Sequence, residues 1–176
     1  MDSVQQEKRL LLIIRILVAF YIFALLFFGI TVFPLVSELG ILAGILGIEQ
    51  GVSPGSYEGF THWIALVYEA ILNTDNNYPF LLYGYDWLAF AHIVIGVAFL
   101  GVYFKPVRNI WIVYLGMIAC IGVIPLALIC GTVRGIPFFW CLIDSSFCVF
   151  GLIPLIVLRN YIKKLEKLIG FIPARY

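Results

Sequence analysis

The sequence predicts an all-α integral membrane protein with four transmembrane helices and an extra-cytoplasmic amphipathic helical loop between the first two. Three observations carry that reading. The 176-residue chain is 63% hydrophobic and 12% charged, roughly half the charged fraction of a soluble domain. Its apolar residues gather into four stretches, each long enough at 1.5 Å per residue to cross a hydrocarbon layer about 30 Å thick. Ten of the eleven bases then fall at one level: Lys8, Arg9, Arg15, Lys105, Arg108, Arg159, Lys163, Lys164, Lys167 and Arg175. The alternate loops carry Glu38, Glu49, Glu58, Glu69, Asp75 and Asp86, with Arg134 as their one base. Such alternation is the product of the positive-inside rule acting on an even number of spans, and it predicts that both termini are cytoplasmic in an inner or plasma membrane.

The first span is predicted at 10–34, with Arg15 reaching back to the interface along its apolar stem. Its length and the lack of a small-x-small cleavage site before Pro34 predict a retained signal anchor. Residues 36–80 form the loop. Its first part, 37–48, is too short and too rich in glycine for a fifth span, and reads either as an interfacial helix or as an excursion shielded by protein. Tyr57–Leu72 reads as a helix with Glu58, His62 and Glu69 along one stripe, while Phe60, Trp63, Ile64, Val67, Tyr68 and Ile71 cover much of the remainder. A helix of this kind caps the outer opening or rests on headgroups. The polar run Asn73–Pro79 is expected to stop it.

The second, third and fourth spans are predicted at 82–104, 110–130 and 136–158. Pro125 and Pro154 interrupt the last two, with Gly122 and Gly151 three residues earlier, so each helix is expected to bend for packing or to widen a cavity. The basic run at 159–167 reads as a stop-transfer flank, and the one-turn spacing of Lys163 and Lys167 allows a helical extension beyond the membrane.

His92 and Asp144 are the candidate catalytic residues. Counting inward along spans of opposite direction puts both on the order of 10 Å below the outer boundary. A carboxylate in hydrocarbon needs a partner or a proton. In the functional reading His92 is the base and Asp144 the acid or orienting group; in the structural reading the two clamp a pair of helices. Glu69, Asp86, Arg134 and Ser145 are the candidate substrate-binding groups, and Glu58 and His62 the candidate gate or cap. Cys141, Asp144 and Cys148 share a helical stripe, but their spacing does not separate a zinc site from core cysteines, and no metal or cofactor is predicted.

The leading function is binding or conversion of a lipid-like molecule in an outward-facing intramembrane pocket, with a membrane lipid or another amphipathic small molecule as partner. The alternatives are a proton-coupled small-molecule transporter or channel, in which a homodimer would supply a wider interface, and a structural or assembly subunit of a membrane complex. Charge segregation hides behind a net charge of +1 and gives no support to nucleic-acid binding. No motif decides whether the protein is an enzyme.

Overall fold

A computed structural model describes residues 3–170; Arg175, counted above among the bases, lies outside them. The described residues form helices α1 (Ser3–Val32), α2 (Leu35–Ile45), α3 (Gly59–Asn77), α4 (Tyr83–Phe104), α5 (Ile110–Val133) and α6 (Phe138–Ile169), with single 3-10 turns at Pro54–Ser56 and Pro79–Leu81. Among them α1, α4, α5 and α6 are long and apolar enough to cross a membrane, whereas α2 is not. No more than 22% of the most apolar window of any of the four is buried within the protein. Apolar surface on that scale is stable only against lipid.

The chain separates into two compact units, 1–23 with 96–176 and 24–95. In the first, α5 and α6 pack along their lengths. Cys141, Ser145, Leu155, Leu158, Ile162 and Leu165 form the buried stripe of α6, and steps of three, four and ten residues keep them in helical phase on one face. The stripe continues past the predicted end of the fourth span, so α6 runs eleven residues beyond position 158. Outside the apolar stretch a Lys163–Glu166 ion pair of 2.8 Å adds one i,i+3 contact. The opposing face of α5 is built from small residues. A Cβ at Gly116 would stand 3.2 Å from Leu155 Cδ1, and one at Gly131 would collide with Cys141 Sγ. Small residues let helix backbones approach where no hydrophobic effect draws them together.

The turn between these helices follows from one residue. Gly135 takes φ 69°, which lets the Ile136 amide donate to Gly131 O at 2.9 Å and its own amide donate to Thr132 O at 3.2 Å. This is the Schellman ending, and Pro137 then prevents α5 from resuming. At the other end of α5, the Asn109 side-chain Nδ2 donates to Gly101 O at 2.7 Å and Lys105 O at 3.1 Å, adding a second donor to carbonyls that already accept the Lys105 and Asn109 backbone amides. The bases at this level rest on aromatic rings: Arg15 lies 5.7 Å from the centre of Tyr103, and Arg159 lies 5.6 Å from that of Tyr114.

In the second unit α2 packs on α3; Ala43 of α2, Ile48 just beyond its end, and Ile64, Ala65 and Tyr68 of α3 are buried. Of the segment 37–48, the residues up to Ile45 are helical, within α2, and that helix packs on α3. Gln50 Nε2 donates to the Tyr68 hydroxyl at 3.0 Å, and the Glu49 amide donates to the Tyr57 hydroxyl at 3.0 Å. The α3 boundaries differ from the sequence expectation at both ends. Glu58 sits just outside as the cap, in extended backbone, and the polar run that was expected to end the helix prolongs it to Asn77. Thr74 Oγ1 donates to Ala70 O at 2.8 Å, and Asn77 Nδ2 donates to Asn73 O at 3.0 Å. These side chains bond back to their own helix instead of bending the chain, and Pro79 supplies the stop. Within the same unit α1 and α4 meet at Gly29, where a Cβ would stand 3.0 Å from both Ala89 O and His92 Cβ.

Candidate functional site

The predicted site residues divide between the units. Arg134 and Asp144 belong to the first and line one cleft of about 260 Å³, together with Val123, Leu126, Ala127, Cys130, Gly131, Ile136 and Cys141. Its position follows from the helix ends: Arg134 is the C-cap of α5, and Asp144 lies two turns into α6. The antiparallel register set by Gly131 against Cys141 and Gly116 against Leu155 puts Asp144 level with Leu128. Arg134 stands six residues farther along, on the order of 9 Å at helical rise. The two side chains do not pair; among the described residues the ion pair is Lys163–Glu166. Arg134 is exposed and Asp144 half-buried. The cleft therefore offers one cation near a helix end, one carboxyl group deeper in, and otherwise apolar walls.

Ser145 is buried and its hydroxyl donates to Cys141 O at 2.7 Å; Ser146 likewise donates to Ile143 O at 2.6 Å. Both protons are thereby used within α6, and neither residue lines the cleft. All four cysteines are free thiols. Among the described residues no group of three or more His, Cys, Asp or Glu side chains is arranged to hold a metal ion.

The remaining candidates lie in the second unit. His92 is half-buried and its Nδ1–H donates to Leu88 O at 2.8 Å. Asp86 lines a different cleft, of about 570 Å³, with Asp75, Ser37 and a wall that includes Phe33, Tyr83 and Tyr85. Glu69 is exposed on α3. His62 Nδ1–H donates to Pro54 O at 2.8 Å, fastening the 3-10 turn to the start of α3, while Glu58 is exposed and makes no side-chain cap bond.

One polar contact was missed from the sequence. The Tyr21 hydroxyl of α1 donates to Gly151 O of α6 at 2.7 Å, and its ring stacks on Phe99 at 5.3 Å. A Cβ at Gly151 would stand 3.1 Å from that hydroxyl and 3.5 Å from Cys120 Sγ, so any larger residue there would push the hydroxyl back by a few tenths of an ångström. Its signal was the pairing of Gly151 with Pro154, which had suggested a bend without a partner. A second missed signal was the row Gly116, Cys120, Ala127 and Gly131, small residues recurring on one face of α5.

Four long apolar helices with largely unburied flanks define a multi-pass α-helical membrane protein. The chain matches no family model, no curated protein and no solved structure.

Proposed function

We propose that the protein binds a membrane lipid or a similar amphipathic molecule in the α5–α6 cleft, with that end of the helix pair on the outer face of the membrane. The observation behind this reading is the cleft itself: apolar walls with Arg134 and Asp144 unpaired in the same space. A guanidinium at a membrane boundary suits a phosphate or carboxylate headgroup, to which it donates in fork geometry. The apolar residues suit a hydrocarbon chain, and the carboxyl group gives the headgroup region a second polar contact. The outward orientation is supported by the ten bases on the other side of the charge alternation.

Lipid retention tests it directly. Full-length protein in phosphatidylcholine nanodiscs doped with phosphatidylglycerol is released from the disc and its bound lipid measured by native mass spectrometry. The unmodified protein is expected to retain the anionic lipid preferentially. Arg134→Gln should reduce that retention by roughly tenfold, the loss of one hydrogen-bonded charge, and Ala127→Trp should reduce it by filling the cleft. Retention unaffected by both substitutions would remove the cleft from the function.

A further inference from the structure

The second unit carries a cleft of different chemistry. Residues 24–95 contain six carboxylic acids, Glu38, Glu49, Glu58, Glu69, Asp75 and Asp86, and neither lysine nor arginine. That unit therefore has no strong base of its own to set against an acid. Asp75 and Asp86 line one cleft, which the α1–α2 corner shares with the segment joining α3 to α4. Neither forms an ion pair or a side-chain hydrogen bond among the described residues. Asp75 is exposed in the last turn of α3, and Asp86 is half-buried in the first turn of α4. A carboxylate in the last turn of a helix opposes the helix dipole, so a positive charge beside Asp75 would be favoured. Four aromatic residues share the wall with these acids: Phe33, Phe80, Tyr83 and Tyr85. All four are exposed.

Three kinds of occupant meet these walls differently. Calcium takes about six to eight oxygen ligands, whereas the side chains here supply two carboxyl groups and the Ser37 hydroxyl, and the rings coordinate nothing. An apolar chain suits the rings but gives the acids no partner. An organic ammonium ion uses both sets of residues. Its charge is spread over carbon-bound hydrogens, is drawn to the face of an aromatic ring, and is drawn to a carboxylate as well. Aromatic residues at a membrane boundary also form an interfacial belt, but a belt accounts for the rings and not for two unpaired acids among them. We infer that this cleft binds an organic ammonium group, of the kind choline carries, through its aromatic wall and through Asp75 and Asp86.

Equilibrium dialysis of radiolabelled choline against the full-length protein, held in maltoside micelles without choline lipids, tests this. Unlabelled choline is expected to displace the label about tenfold more effectively than its neutral carbon isostere, 3,3-dimethylbutanol, which has the same shape and no charge. The double variant Asp75→Asn, Asp86→Asn should weaken choline binding by about tenfold, and Phe80→Leu by about two- to fivefold, the loss of one ring contact. Lack of saturable choline binding, equal displacement by the isostere, or binding unaltered in the double aspartate variant overturns the inference. Displacement by calcium combined with indifference to Phe80→Leu makes the cleft a metal site and overturns it too. Two lipids added to the micelles then identify the source of the ammonium group. Displacement by phosphatidylcholine but not by phosphatidylglycerol assigns it to a lipid headgroup, and displacement by neither assigns it to a soluble molecule. Equal displacement by both would show an apolar groove indifferent to charge, against the inference. The comparison of choline with its isostere needs no variant, so misfolding of a substituted protein leaves the test intact.

Discussion

A hydroxyl within the hydrocarbon layer needs an acceptor, and Tyr21 finds one in the turn that contains Pro154. Proline has no amide proton to return to Phe150 O, and its ring crowds that carbonyl. One residue on, Gly151 O accepts from Tyr21 at 2.7 Å, joining α1 to α6 through the loosened turn. Tyr21→Phe keeps the stacking on Phe99 and removes only the hydrogen bond. It should cost about 0.6 kcal/mol, the mean for such bonds between membrane helices, read as a lowered unfolding midpoint in detergent micelles; an unchanged midpoint would show that the bond contributes nothing. Legibility at this scale was uneven. Asp144, His92 and Arg134 stand out because charged or titratable groups are rare in apolar stretches. The use of Ser145 on its own backbone and the Tyr21 contact depend on rotamers and helix pairing, which sequence spacing does not give.

Helix existence was legible because each long apolar run has a single stable backbone solution in lipid. Helix ends were less so. The run Asn73–Asn77 has the composition of a turn, but Thr74 and Asn77 spend their donors on carbonyls one turn back and the helix continues. Beyond position 158 the apolar stretch gives way to bases, yet Ile162 and Leu165 keep the buried stripe in phase and α6 continues too. The α5–α6 seam offers the sharpest test of an element contact. Gly131→Ala would drive a Cβ into Cys141 Sγ, whereas Cys141 Cβ stands at an ordinary 3.8 Å. Gly131→Ala alone should destabilise by about 1–3 kcal/mol through overpacking, and Cys141→Ala should recover most of that loss. Additive effects in the double mutant, measured by thermal unfolding, would contradict this packing.

For the molecule as a whole, the strongest sequence signal was the distribution of charge, since it arises from how a chain is inserted and does not wait on side-chain packing. With Cys120, Cys130, Cys141 and Cys148 replaced by alanine, single cysteines at Glu58 and Lys163 are expected on opposite sides of the membrane. Glu58→Cys should react with an impermeant maleimide in intact cells, and Lys163→Cys only after lysis. Reaction of both under the same condition would overturn the proposed orientation. The apolar stretches gave the number of spans, and the alternation of bases predicted an even number and the arrangement around the bilayer. It could not give the division of the candidate residues between two compact units, because depth along a helix carries no information about which neighbour the helix faces.

The tight Gly135 turn joins α5 to α6 directly beside the cleft, so the helix ends there are tethered by only a few residues. Leu126 and Cys130, by contrast, are exposed along the flank. A guest would therefore arrive sideways, out of the surrounding leaflet, without first crossing the water phase as a free molecule. Occupancy would then follow the guest's mole fraction among neighbouring lipids, and dilution of the aqueous compartment would leave it unchanged.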